Sequence, residues 1–307
     1  MSTLYDVPAP AKLNLFLHVV GRRSDGYHLL QTVFRFIDLN DYLDFDLRHD
    51  GIIDCVSPVP GLAPQDDLVV RAAQALQRAT GTHLGVRIQY RKHIPSGGGL
   101  GGGSSDAAST LIALNRLWNT GLSRAELMRL ALPLGADVPV FIYGQPAFAE
   151  GIGELLSPAP VLPRTYVVVQ PAQSVPTAGI FSDPNLTRDT KCTTIAVFAD
   201  WQKLSAVNKA GSVEFFGQNN LQPVVFARYP VVAKAHALMQ AEGAYARMTG
   251  SGSCLFAEFV TAAQAAAYQQ KIVVKIAGYQ HDNAPVVNQA WVCQGLVNHP
   301  LRSWLSN

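Results

Sequence analysis

The chain has 307 residues, enough for two domains and a sizeable core. Its 24 basic and 22 acidic residues nearly cancel, which argues against nucleic-acid or membrane-surface binding. No apolar run of about eighteen residues and no basic-then-apolar N terminus occurs, so neither a membrane span nor a signal peptide is expected. The four cysteines are far apart, which favours buried reduced thiols in a cytoplasmic protein over a metal site.

The chain begins with a segment that has the pattern of a strand, at 8–17. Its apolar odd-numbered positions share one face, whereas Lys12 and Asn14 share the other. Taken alone, a lysine on a strand is usually a solvated surface residue.

A polar turn at 21–28 contains Asp-Gly and ends in Tyr27 and His28, and two further strands are predicted at 29–36 and 43–47. In structural terms, Tyr27 could simply pack over a hairpin and His28 could be a surface residue.

A helix and a strand are predicted next. Asp67 offers an N-cap to a helix that Gly81 ends, and the alternation in 86–91 predicts a half-buried strand followed by Lys92.

The segment 97–105 then contains six glycines, and it leads into a helix with apolar residues at helical spacing up to Gly121. Glycine lets bare N–H groups approach an anion, and a helix N-terminus adds the positive end of its dipole, so a polyphosphate is the natural ligand. A flexible linker is the plain alternative. A Walker loop is excluded because no lysine follows the glycines, and the Gly-x-Gly-x-x-Gly match at Gly97, Gly99 and Gly102 is weak in such a run.

The Gly-x-Gly-x-x-Gly pattern belongs to Rossmann units, in which a second strand follows the helix. Here a second helix follows instead. Ser123 and Glu126 form a capping box at its start. Asp137 lies at a Gly-Ala turn after this helix, and Pro139 is expected to push Val138 out of the helical region. By itself, Asp137 could be an ordinary helix-ending turn residue.

The second half carries fewer signals. The proline-rich stretch 158–163 predicts a boundary between domains 1–160 and 161–307. A buried strand is predicted at 166–169 and helices at 232–243 and 261–270, whereas 186–218 is uninformative. Gly250 and Gly252 lie in a glycine-containing stretch with Cys254, which we interpret as a packing residue because no base adjoins it.

Three motifs in order resemble those of the GHMP kinases, a family of ATP-dependent small-molecule kinases. They are Pro-Ala-Lys-Leu-Asn-Leu from Pro10, the run from Pro95 through Ala108, and 246–257. Gly-Ala-Asp-Val-Pro from Gly135 resembles the family segment that carries a catalytic Asp. The Gly-Tyr-His block at 26–28 and the block with Thr177 and Phe181 are similar to the branch whose acceptor is a cytidine diphosphate sugar alcohol.

The resemblance implies roles for individual residues. Lys12 would act on the transferred phosphoryl group and Asp137 would be the catalytic base. ATP would be held by a set of residues on the glycine side: Lys92, Pro95, Gly97, Gly98, Gly99, Leu100, Gly101, Gly102, Gly103, Ser104 and Ser105. The acceptor would be held by Asn14, Tyr27, His28, Ile152, Thr177 and Phe181. Lys92 could also be a solvated lysine and Ile152 a core residue, and Asp67 stands where the family has an asparagine near adenine, so it could merely cap its helix.

The resemblance also implies an α+β fold of two domains, a ribosomal-protein-type N-terminal domain with a left-handed crossover and a ferredoxin-like C-terminal domain. ATP with Mg²⁺ would be the cofactors and a small molecule the partner, with no nucleic acid, membrane or obligatory protein partner. The alternatives are a kinase of the same family for another alcohol, such as homoserine or mevalonate, and a nucleotide-binding sensor without activity.

Overall fold

A computed structural model describes residues 2–56, 63–277, 280–281 and 284–306. The strands are β1 (Thr3–Arg22), β2 (His28–Arg48), β3 (Ile53–Cys55), β4 (Gly85–Arg91), β5 (Ala147–Glu150), β6 (Leu155–Pro158), β7 (Thr165–Pro171), β8 (Arg247–Met248), β9 (Leu255–Phe259), β10 (Gln280–His281), β11 (Ala284–Pro285) and β12 (Val287–Gln294). The α-helices are α1 (Leu68–Thr80), α2 (Gly102–Leu117), α3 (Arg124–Ala131), α4 (Val138–Tyr143), α5 (Thr177–Phe181), α6 (Ile195–Leu204), α7 (Gln222–Arg228), α8 (Pro230–Ala241) and α9 (Ala262–Ala277).

The first sheet has the order β3-β4-β2-β5-β6, with β1 paired to β2. The prediction of two separate strands at 29–36 and 43–47 is wrong, because β2 continues through both. It pairs with β1 along nearly its whole length, and shifts of register absorb the irregular residues between the two predicted segments. Its two ends also pair with β5 and β4, so the chain stays extended.

The helices of the first half pack on this sheet and share its core. Asp67 caps α1 by accepting a hydrogen bond from the N–H of Val69 at 2.8 Å, and Gly81 closes the helix in the left-handed conformation, both as predicted. The expectation for Val138 is wrong. Helix α4 begins at Val138, and Pro139 occupies its first turn, where the missing N–H costs nothing.

The second sheet has the order β12-β7-β9-β8 and is antiparallel throughout. Helices α7, α8 and α9 contribute to its core. A third apolar cluster joins the two sheets, because Leu13 of β1 packs there with Val168 of β7 and Phe256 of β9. The apolar face predicted for 8–17 is therefore the face that meets the second sheet, which leaves Lys12 and Asn14 on the opposite side.

The sequence predicted no membrane span and four buried cysteines. None of the helices in the described part of the chain is both long and apolar enough to cross a membrane. No disulfide joins the four cysteines, all of which lie within the described residues, but Cys192 is exposed and Cys55 is half-buried, so the expectation of burial holds only for Cys254 and Cys293. Burial raises the pKa of the Cys254 thiol to about 12, in agreement with a packing role.

Candidate active site

A cavity of about 820 Å³ lies where the two sheets meet. It is lined by almost every residue that the sequence singles out: Lys12, Asn14, Tyr27, His28, Lys92, Pro95, Gly97, Gly98, Gly99, Leu100, Gly101, Gly102, Gly103, Ser104, Asp137, Ile152, Thr177 and Phe181. Ser105 is the exception. Its side chain is fully buried and its hydroxyl donates to the carbonyl of Pro10 at 2.7 Å, so it anchors α2 on β1 instead of facing the cavity.

The glycine loop takes a conformation that other residues adopt rarely. Gly97, Gly99 and Gly101 all have positive φ angles. A Cβ atom on Gly99 would lie 2.2 Å from the carbonyl oxygen of Thr249, since the loop packs directly against the turn between β8 and β9. Backbone hydrogen bonds join the two segments, from the N–H of Ser253 to the carbonyl of Gly97 at 3.2 Å and from Cys254 to Gly98 at 3.1 Å. Glycines in the two motifs thus permit a close approach of backbones.

The loop ends at the N-terminus of α2, a helix of 16 residues. Its N-cap is Gly101, which offers no side chain to the N–H groups of the first turn. Those groups and the positive end of the helix dipole lie at the cavity, where Gly102, Gly103 and Ser104 are lining residues. This is the arrangement that binds phosphate in proteins.

Lys12 and Asp137 meet beside the loop. The Lys12 Nζ lies 3.2 Å from Oδ2 of Asp137 and 2.6 Å from Oδ1 of Asn14. Lys12 is almost completely buried, whereas the Asp137 side chain keeps 37% of its surface exposed toward the cavity. Asp137 occupies the N-cap position of α4 without bonding to the helix, so its carboxylate is available for other partners. The Nδ2 of Asn14 donates to Thr32 at 3.0 Å, which fixes its orientation.

Lys92 is held by two carboxylates. Its ammonium is paired with Asp41 and Asp106 at the base of the glycine loop. Burial alone would lower the pKa of Lys92, but the carboxylates of Asp106 and Asp41 outweigh this effect and raise it. Asp41 also accepts hydrogen bonds from the backbone N–H groups of His93 and Ile94, so it fixes the start of the loop. Lys92 lines the cavity, and it is not the freely solvated lysine of the alternative interpretation.

The opposite end of the cavity carries the aromatic residues. Tyr27 is 60% exposed at the mouth, and the rings of His28 and Phe181 lie 5.3 Å apart between centroids. Thr177 begins α5 and shares a hydrogen bond with the hydroxyl of Ser251 at 2.7 Å, which ties this helix to the turn after β8. Residues from both halves of the chain therefore line one space.

Arg188 is a residue of this region that sequence reasoning missed. Its Nε donates to Nε2 of His28 at 3.0 Å, and its Nη2 donates to the carbonyls of Asp183 and Phe181 at 2.6 and 3.2 Å. Burial, followed by the nearby charges of Arg188 and Arg22, lowers the pKa of His28. Nothing in the irregular sequence around position 188 signals this contact, because it depends on how the 183–190 segment folds back over β2.

Comparison with known proteins agrees with this geometry. Residues 67–145 match the model of the GHMP kinases N terminal domain and residues 200–273 match that of the GHMP kinases C terminal. A 4-diphosphocytidyl-2-C-methyl-D-erythritol kinase of Bordetella parapertussis is 57% identical over 99% of this chain and its whole length. The enzyme of the same name from Aromatoleum aromaticum is 49% identical over 99% of this chain and 98% of its own length.

Two solved structures extend the comparison. A crystal structure of 4-(cytidine 5'-diphospho)-2C-methyl-D-erythritol kinase has a TM-score of 0.74 and 32% identity, covering 94% of this chain and 98% of its own. A homoserine kinase from Cytophaga hutchinsonii has a TM-score of 0.68 at 16% identity, covering 97% of this chain and 96% of its own, and this shows a shared fold.

The chain belongs to the GHMP kinases, whose members are ATP-dependent kinases of small molecules. Within them it belongs to the family of 4-diphosphocytidyl-2-C-methyl-D-erythritol kinases, since its relatives of that name match it along essentially its full length.

Proposed function

We propose that this chain transfers the γ-phosphoryl group of ATP to a hydroxyl of 4-diphosphocytidyl-2-C-methyl-D-erythritol and forms the 2-phosphate. This is a step of the methylerythritol phosphate route to isoprenoid precursors. The observation that carries the proposal is that the Lys12–Asp137 pair and the aromatic residues Tyr27 and Phe181 line the same cavity as the glycine loop. The names of the relatives support the same reaction.

The proposed mechanism follows from what lies beside the loop. The oxygen of the acceptor hydroxyl forms a bond to the γ-phosphorus, the bond to the bridging oxygen of ADP breaks, and the proton passes to the carboxylate of Asp137. Phosphoryl transfer depends mainly on positioning and on stabilising charge. The ammonium of Lys12 would stabilise negative charge on the transferring group, and Asn14, which it contacts, would position the acceptor.

For the nucleotide, we propose that the N–H groups of the loop and of the first turn of α2 hold the β- and γ-phosphates, with Ser104 as the hydroxyl that faces them. The buried Ser105 supports α2 from behind. The ion pairs of Lys92 with Asp41 and Asp106 support a role for Lys92 in shaping the nucleotide side of the cavity.

Mg²⁺ is the expected companion of ATP, because it neutralises charge on the phosphates. Within the described residues, no group of three or more His, Cys, Asp or Glu side chains is placed to hold a metal. Ser104 and Asp137 line the cavity beside the loop and offer oxygen atoms, which Mg²⁺ prefers. Mg²⁺ would be held mainly by the phosphates of ATP and by water. Ser104, Asp137 or both would fit as additional ligands.

At the other end, we propose that cytosine stacks between Tyr27 and Phe181 and receives a hydrogen bond from His28. Thr177 would close over the base and Ile152 would line its pocket. Support comes from their positions on the cavity wall and from the 5.3 Å separation of the His28 and Phe181 rings. Stacking on an aromatic side chain is worth about 1–3 kcal/mol per base, enough to choose between acceptors.

We further propose that the halves 1–160 and 161–307 are the two domains, the first of ribosomal-protein type with a left-handed crossover and the second ferredoxin-like. The change of sheet between β6 and β7 supports the boundary. The parallel pairing of β3 and β4 across α1 supports a crossover in the first domain. The order β12-β7-β9-β8, with helices before β8 and after β9, supports the assignment of the second. Cytoplasmic location stays a prediction.

The test is ATP turnover with Mg²⁺ in the presence of 4-diphosphocytidyl-2-C-methyl-D-erythritol, homoserine, mevalonate or no acceptor. Turnover with the cytidyl compound alone supports both the reaction and the base pocket. Turnover with another acceptor would support a kinase of this fold but contradict the proposed cytosine pocket. A protein that binds ATP but turns over none of these acceptors would favour the sensor.

A further inference from the structure

Arg188 joins the two sides of the acceptor pocket. Its guanidinium contacts the ring of His28, which follows the 21–27 turn, and the carbonyls that follow α5, the helix carrying Phe181. It also donates to the carbonyl of Leu186 at 3.0 Å. Arg188 thus makes four hydrogen bonds, and three of them go to backbone carbonyls between Phe181, the last residue of α5, and Leu186.

The contact with His28 determines where the imidazole carries its proton. A guanidinium has donors and no acceptor, and it does not lose its proton in proteins. The Nε2 of His28 must therefore accept from Arg188, and the proton of the neutral ring must lie on Nδ1. Within the described part of the chain, Nδ1 has no protein hydrogen-bond partner, and His28 lines the cavity.

We propose that Arg188 is a positioning residue that determines base specificity by fixing His28 as the Nδ1–H tautomer. This inference rests on the proposed function. The pocket then presents an N–H donor to the base. N3 of cytosine is an acceptor and satisfies it, whereas N3 of uracil carries a hydrogen and would oppose one donor with another. A site with a fixed donor rejects the wrong partner because the buried polar group is left unpaired.

Arg228, at the end of α7, supplies a matched control because it contacts α5 and the residue Asp183 that follows it. Its Nη2 lies 2.6 Å from Oδ2 of Asp183 and its Nη1 donates to the carbonyl of Gly179 at 2.9 Å. It anchors α5 as Arg188 does, but it does not touch His28. A substitution at Arg228 therefore loosens the helix while the tautomer of His28 remains set.

The experiment compares kcat/KM for the diphosphocytidyl acceptor with that for its diphosphouridyl analogue in the wild type, R188M, R188K and R228M. We expect kcat/KM of the wild type and of R228M to be about tenfold to a hundredfold higher for the cytidyl compound than for the uridyl analogue. This range corresponds to the cost of leaving one buried polar group without a hydrogen bond. R188M should lose most of this preference, since its imidazole is free to place the proton on Nε2 and accept from uracil. R188K, which restores a donor, should recover it. An R188M enzyme that is slower with both acceptors but keeps the wild-type ratio would overturn the proposal.

A second measurement needs no substrate. Nitrogen-15 NMR of the free protein distinguishes the two imidazole tautomers, and the H28Q variant assigns the signal of His28. We expect a neutral Nδ1–H ring in the wild type and R228M and a mixture of tautomers in R188M. An Nε2–H ring in the wild type would contradict the inference even if the kinase activity is as proposed. Conversely, the expected NMR result with no turnover of the cytidyl compound would refute the function and leave the Arg188–His28 contact intact.

Discussion

The ammonium of Lys12, on the first strand of the first sheet, lies 3.2 Å from the carboxylate of Asp137, at the start of α4. The lysine is buried, and its other hydrogen bond goes to Asn14 at 2.6 Å. Because Asp137 caps no backbone N–H, its carboxylate has no structural partner in its own helix. A carboxylate and an ammonium are therefore held together beside the glycine loop.

Replacement of Asp137 by Asn should lower kcat by at least about a hundredfold, since a positioned general base contributes about 10²–10⁴-fold. The amide keeps the size of the side chain but cannot take the proton. The KM for ATP should change little, because the proposed nucleotide contacts come from the loop and α2. The exposed Asp200, which pairs with its neighbour Lys203 on α6, provides a control as D200N. A D137N enzyme with near wild-type kcat would remove Asp137 from its proposed role.

Replacement of Gly99 by Ala should disrupt the proposed ATP site. The new Cβ would lie 2.2 Å from the carbonyl oxygen of Thr249, so the loop or the turn after β8 must move. The control is Gly121→Ala, at a glycine with nearly the same φ, +70° against +72°, but nothing within 4 Å of the added atom. Both variants carry similar backbone strain. We expect at least a tenfold loss in kcat/KM for ATP in G99A alone, and equal losses in the two variants would contradict the role of the close contact.

Tyr27→Ala should reduce kcat/KM for the cytidyl acceptor by about tenfold to a hundredfold, the equivalent of one base-stacking interaction. Tyr5→Ala is the matched control, since Tyr5 is 62% exposed against 60% for Tyr27 and does not line the cavity. Steady-state kinetics with the acceptor varied at saturating ATP would measure the difference. If Y27A were indistinguishable from Y5A, the ring would have no part in binding the base.

His299 gives the stability of the fold a dependence on pH. Burial, followed by the charge of Arg124, lowers the pKa of His299 to about 3, and its ring packs edge-on against Phe36. The unfolded chain takes up this proton near pH 6.5 whereas the folded chain does not, so stability is fully present above pH 6.5 and falls as the pH drops toward 3.

Between pH 6 and 4, the free energy of unfolding of the wild type should therefore fall by up to about 1.4 kcal/mol per pH unit more steeply than that of H299Q. Urea unfolding at several pH values measures this slope. The exposed His49, replaced as H49Q, controls for loss of a histidine in general. Parallel curves for the wild type and H299Q would show that His299 is protonated in the folded state as readily as in the unfolded one.

Local patterns in the sequence predicted the parts of the site that lie along one segment. The alternation in 86–91, the glycines and the apolar spacing after them identified β4, the loop and α2 in their order. Asp67 could be identified as a cap because a cap depends on neighbours two or three residues away.

What the sequence could not supply depends on contacts between distant segments. The continuity of β2 comes from its pairing with three other strands, and the burial of Ser105 comes from its contact with Pro10. The role of Arg188 is not visible in the sequence for the same reason, since only the folded chain places this residue against His28. The effect of Pro139 on the preceding residue is only a tendency, and the first turn of α4 overrides it.

The most direct test of the proposed reaction is the fate of a labelled γ-phosphate. The enzyme would be given γ-labelled ATP, Mg²⁺ and an equimolar mixture of 4-diphosphocytidyl-2-C-methyl-D-erythritol, homoserine and mevalonate, and the labelled product would be isolated and identified. We expect the label on the cytidyl compound alone, as its 2-phosphate, and almost none in the D137N enzyme. Label on homoserine or mevalonate, or on inorganic phosphate alone, would contradict the assignment of this cavity as a cytidyl-specific kinase site.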